Sequence, residues 1–162
     1  HFGAGVELAV ALFYGCLFLV IGIIDIQKGL ILNVLIYPAM ILALVFALFL
    51  SDIEIVPDLA NASIGGGIGL ALFTLIFLAS RGGMGMGDIK MAALIGLVIG
   101  FPHLIVALLL AIIAGGLVAT LLLVSKRKGR KQSLPFGPFL SFGALIALLY
   151  GAGIYDWYIN LF

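Results

Sequence analysis

The chain has 162 residues, of which 65% are hydrophobic and only 9% charged, with a net charge of +1. A water-soluble domain of this size could not hide so much apolar surface, so the composition excludes a soluble globular fold and makes lipid the solvent. The charge sum says little; what informs is where the charges fall along the chain.

Crossing the hydrocarbon core takes about 20 apolar residues in a helix. The first stretch, Val6–Ile24, has Glu7 rather than a basic flank at its start, which argues against a cleavable signal peptide. It holds the lone cysteine, Cys16, so this sequence offers neither an intrachain disulfide nor a paired-cysteine zinc site. Leu30–Leu50 follows, with Pro38 predicted to kink it, and then Leu59–Ala79. The fourth segment, Ile89–Phe101, is short: roughly 20 Å of helix against a core of about 30 Å, a length that also suits a re-entrant helix. Leu104–Val124 and Phe136–Tyr155 complete the set, and Tyr155, Trp157 and Tyr158 suit the outer headgroup level. Asn61-Ala62-Ser63 matches a glycosylation sequon but lies against a span, and is read as chance.

The basic residues are Lys28, Arg81, Lys90, and the run Lys126, Arg127, Lys128, Arg130, Lys131. The acids Glu7, Asp52, Glu54, Asp58 and Asp156 occupy the other gaps. Lys- and Arg-rich loops stay in the cytoplasm. Six crossings place every one of them inside, and five do not. The expectation is therefore an all-α polytopic bundle of six transmembrane helices. Residues 1–162 form its single domain, and both termini are extracytoplasmic.

Two carboxylates break the charge pattern, Asp25 and Asp88, each at an expected junction of an apolar helix and a basic loop. An ionisable group beside hydrocarbon is costly and marks a functional site by default. The competing reading pairs each locally at a wet interface, Asp25 with Lys28 and Asp88 with Lys90 or Arg81. Context favours a pair of acids. Asp88 closes a run with glycine at 82, 83, 85 and 87, a backbone open to close approach by an extended peptide. Small residues recur beyond it at Ala92, Gly96 and Gly100, and Gly15, Phe18 and Gly22 precede Asp25 at helical spacing. Such stripes let helices approach closely and turn both acids toward the bundle interior.

Gly85-Met86-Gly87-Asp88 resembles the GxGD signature of intramembrane aspartyl proteases. The longer run Gly83 to Lys90 is similar to the version found in type IV prepilin peptidases. The stretch from Asp25 to Asn33 resembles that family's first-aspartate segment, with Leu32 where members often have Pro. Pro135-Phe136-Gly137-Pro138 resembles its PFGP element. Presenilin-like enzymes share GxGD but carry a PAL element where PFGP stands here. The resemblance implies catalytic Asp25 and Asp88. It also implies motif or substrate-positioning roles for Gly85, Met86, Gly87, Lys90, Pro135, Phe136, Gly137 and Pro138. Neither metal nor cofactor is implied. The implied substrate is a prepilin or pseudopilin with a short basic leader and a transmembrane signal segment, of a type IV pilus or type II secretion system. The partners are membrane lipids and no nucleic acid, and the place is the inner membrane of a prokaryote. The paired-cysteine segment linked to N-methylation in many bacterial relatives has no counterpart in this sequence, so the resemblance implies a peptidase alone.

Helix polarity assigns the charge to Asp88, at a helix start, and the proton to Asp25, near a helix end. The rival functions are a small ion- or proton-coupled transporter and a non-catalytic secretion-assembly subunit. Against the transporter, the acids lie at one face and no inverted repeat is visible.

Overall fold

The computed structural model describes residues 4–80, 84–124 and 135–161. Arg81, the glycines at 82 and 83, and the basic run 126–131 lie outside the described residues. Six helices are present among the described residues: α1 Ala4–Lys28, α2 Asn33–Phe49, α3 Leu59–Ala79, α4 Met86–Ile99, α5 His103–Val124 and α6 Gly137–Ile159. No strand occurs among the described residues. Segments of α1, α3, α5 and α6 are long and apolar enough to cross a bilayer, whereas α2 has 17 residues and α4 only 14.

The helices alternate in direction. Glu7 near the start of α1, Glu54 and Asp58 between α2 and α3, His103 at the start of α5 and Gly151 late in α6 all line one cavity of about 660 Å³. Asp25, Asn33, Asp88 and Gly137 belong to the opposite helix ends. His103, with its ring 5.7 Å from that of Tyr155, is therefore far from the two acids, as expected.

Boundaries moved where local chemistry outweighed hydropathy. α1 runs past the expected Ile24 to Lys28 because no breaker occurs before Gly29, whose φ of 62° closes the helix. Its N–H donates to the Asp25 carbonyl at 2.8 Å. Asp25 thus lies within the helix rather than at its junction. α4 starts inside the glycine run, at Met86, because Asp88 in the first turn reaches back to accept from the Gly85 N–H.

The short α4 lies at the centre, with Asp88, Met91 to Gly96, Val98 and Ile99 buried. Its small-residue stripe meets a second one on α3. A methyl on Gly69 would lie 2.9 Å from the Ala92 carbonyl carbon, and one on Gly96 would reach 2.7 Å from the Gly66 nitrogen. Backbones packed this closely hold helices together where no hydrophobic force between them exists. The stripe on α1 faces α6: a methyl on Gly22 would meet Ser141, and one on Gly15 would meet Leu145. The helices thus form two groups, α1–α5–α6 and α2–α3–α4, joined through α4. Consecutive α1 and α2 hardly pack on one another, and the Tyr14 and Phe46 rings, 6.0 Å apart, bridge them.

Candidate active site

Each helix group brings one acid to the same end of the bundle. Asp25 comes from α1 and Asp88 from α4, with only 4% and 6% of their surface exposed. The loop that follows Asp25 reaches the residue before Asp88, because Ile31 packs on Gly87. Among the described residues neither has a cationic partner. Lys28 is exposed, and Lys90 turns to Asn33. The local pairing considered for each acid is thus not formed with Lys28 or Lys90, while Arg81 lies outside the described residues.

Asp25 is held by the start of α6. The Gly137 N–H donates to Asp25 Oδ2 at 3.0 Å, across 112 residues of sequence. The four motif residues 135–138 divide this work. The Phe136 ring lies 6.0 Å from the rings of both Phe73 and Phe139, wedging the loop between helices. Gly137, the first residue of α6, has an N–H that no helical carbonyl needs. Pro138 follows within the first turn, where its missing N–H costs nothing. Glycine is required at 137 by space: a methyl there would lie 2.9 Å from Asp25 Cγ and closer still to Oδ2. Pro135 precedes this wedge, half-buried.

Because the Asp25 carboxylate faces the N-terminus of α6, a setting that favours an anion, helix polarity no longer separates the two acids. The expected division into a charged Asp88 and a protonated Asp25 loses its sequence-based reason.

Asp88 Oδ2 accepts from the Gly85 N–H at 3.2 Å. Gly87 packs beneath Ile31 of the α1–α2 loop, whose Cβ would be 2.8 Å from a methyl at 87. Met86 points outward, 65% exposed. Lys90 Nζ donates to Asn33 Oδ1 at 2.9 Å and lies 5.2 Å from the Tyr37 ring centroid. The structure thus gathers Asp25, Asp88, Gly85, Gly87 and Gly137, and turns Met86 and Lys90 aside. Sequence reasoning placed Ile31 and Asn33 in the first-aspartate segment without giving either a role, and it missed Tyr37. The only signal for them was their place just beyond the first aspartate. It also missed Ser141, buried one turn beyond Gly137 with no hydrogen-bond partner for its hydroxyl among the described residues. Among the described residues no group of three or more His, Cys, Asp or Glu could hold a metal ion.

A model of the type IV leader peptidase family matches residues 12–120, a stretch that includes both acids. The chain is 30% identical to the prepilin leader peptidase/N-methyltransferase of Bacillus subtilis over 99% of its own length and 63% of the relative's. It is 30% identical to the protein of that name from Legionella pneumophila over 99% and 56%, and 33% identical to that from Pseudomonas putida over 96% and 54%. It therefore spans between half and two thirds of the length of these relatives. No solved structure matches it. The chain belongs to the type IV leader peptidase family.

Proposed function

We propose that Asp25 and Asp88 are the catalytic dyad of an intramembrane aspartyl endopeptidase that removes the short basic leader from prepilin-like or pseudopilin substrates. The observation that carries this reading is the burial of two carboxylates, one from each helix group, at one end of the bundle. Family membership and the names of the relatives support the choice of substrate.

In this reading the two carboxyls share a proton, because neighbouring carboxyls do not both ionise cheaply. The ionised one takes a proton from water as the water attacks the scissile carbonyl. The neutral one donates to the carbonyl oxygen, and a proton then passes to the leaving amine as the C–N bond breaks. Gly137 fixes Asp25 for this work through its N–H, and Gly85 fixes Asp88.

The same reading places all six helices across the inner membrane of a prokaryote, with both termini extracytoplasmic and the dyad at the cytoplasmic face. The placement of Lys and Arg supports it, as does the central position of α4, whose neighbours shield a helix too short to span alone. The cut then falls on the cytoplasmic side of the substrate's signal segment.

The test incubates the purified protein in detergent with a peptide carrying a basic leader, a glycine at the cleavage edge and a following apolar helix. Wild type cleaves it, and Asp25→Ala and Asp88→Ala do not. Unchanged cleavage in both variants would eliminate the dyad, and ion flux without cleavage would favour the transporter.

A further inference from the structure

The first turns of α2 and α4 are joined by a contact that peptide hydrolysis leaves unused. Lys90 Nζ donates to Asn33 Oδ1 at 2.9 Å, and the same ammonium lies 5.2 Å from the centroid of the Tyr37 ring. Asn33 and Tyr37 are four residues apart on α2 and share one helix face, so a single cation engages both. Neither partner is charged. Among the described residues Lys90 makes no ion pair, with Asp88 or any other acid.

The position of this contact gives it a consequence. Lys90 stands two residues beyond Asp88, and Asn33 eight residues beyond Asp25. Between Asp25 and Asn33 runs the loop containing Ile31, which packs on Gly87, the residue before Asp88. α1 and α2 hardly pack along their lengths, and α4 packs on α2 and α6 rather than on α1, so the Asp25 and Asp88 ends meet through the α1–α2 loop and through α6. The Gly137 contact anchors Asp25 from the α6 side only.

We infer that Lys90 is a positioning residue: clamped on Asn33 and Tyr37, it fixes the first turn of α4 against the α1–α2 connection and so sets the separation of Asp88 from Asp25. The inference rests on reading the two acids as a dyad. It gives Lys90 work on its own chain rather than on the substrate. It also accounts for a lysine that follows the acid yet points away from it.

The test is steady-state cleavage of the leader peptide described above by wild type, Lys90→Met, Lys90→Arg, Asn33→Ala, the Lys90→Met/Asn33→Ala double variant and Asp88→Ala, with thermal midpoints measured in the same detergent. A misplacement near 1 Å in a catalytic group lowers turnover by about 100-fold. Lys90→Met and Asn33→Ala are expected to lose about 10- to 100-fold in kcat with KM within about threefold of wild type. The double variant is expected to be no worse than the poorer single one. Arginine can donate to the same oxygen and stack on the same ring, so Lys90→Arg should keep activity within about threefold. Asn33→Ala removes only an exposed acceptor, so it tests the clamp even if Lys90→Met fails to fold.

Wild-type kcat in Lys90→Met or in Asn33→Ala overturns the clamp. So does a rise in KM at unchanged kcat, which would make Lys90 a substrate contact, and so do losses that multiply in the double variant. If wild type is active and Asp88→Ala dead, any of these outcomes removes the clamp alone. A wild type no more active than Asp88→Ala removes the dyad reading, and the clamp with it.

Discussion

The amide of Gly137 and the carboxylate of Asp25 meet at 3.0 Å, joining the start of the last helix to the end of the first. The contact requires a bare Cα, because a methyl at 137 would lie 2.9 Å from Asp25 Cγ and 3.1 Å from its Cβ. Gly137→Ala should therefore displace Asp25 and lower leader cleavage by about 100-fold, with the loss in kcat rather than KM. Overpacking there should also destabilise the fold by about 1–3 kcal/mol. Kinetics and a detergent melt on the same preparation check both, and full activity in Gly137→Ala would mean the contact does not hold the acid in place.

Gly96→Ala should be the most disruptive glycine change in α4, because its methyl would press on the backbone of Gly65 and Gly66. A fall of roughly 3–10 °C in the thermal midpoint is expected from overpacking of about 1–3 kcal/mol. Gly116→Ala in α5 is the control: none of the described residues lies within 4 Å of the added carbon, so helix propensity alone should leave it neutral or more stable by up to about 1 kcal/mol. Equal melting behaviour of the two variants would contradict the close α3–α4 packing.

Tyr14→Phe should stabilise the protein. The Tyr14 ring is buried between α1 and α2, and its hydroxyl has no hydrogen-bond partner among the described residues. Removing an unpaired buried polar group recovers about 1–3 kcal/mol. Leader cleavage should stay within about twofold, since Tyr14 is three helical turns from Asp25. A lower melting temperature would show that the hydroxyl is satisfied in solution.

These sites also mark what could be read before the fold was known. Hydropathy finds all six helices, and α3 matches its expected limits of Leu59–Ala79, because a long apolar run is a local property. The small-residue stripes announce tight faces, and Gly22, Ala92 and Gly96 do lie on them. Which stripe meets which is a long-range fact: nothing around Gly96 says that its partner is Gly65. The same limit hides the Asp25–Gly137 contact. The motif at 135–138 is visible as a pattern, but nothing in it says that its glycine meets Asp25. Helix polarity read from the sequence weighed only the helix that carries Asp25, while its carboxylate also faces the start of another. The Lys90–Asn33 contact crosses 57 residues between a half-buried and an exposed side chain, a separation over which periodicity carries no information.

The central claim is that Asp25 and Asp88 work as one unit, and single-turnover cleavage by Asp25→Asn, Asp88→Asn and the double variant tests it most directly. Residues of one catalytic unit show strongly non-additive losses. Each single variant should lose about 10³-fold or more, and the double variant should be no slower than either. Substantial cleavage by either single variant, or losses that multiply in the double, would contradict the account.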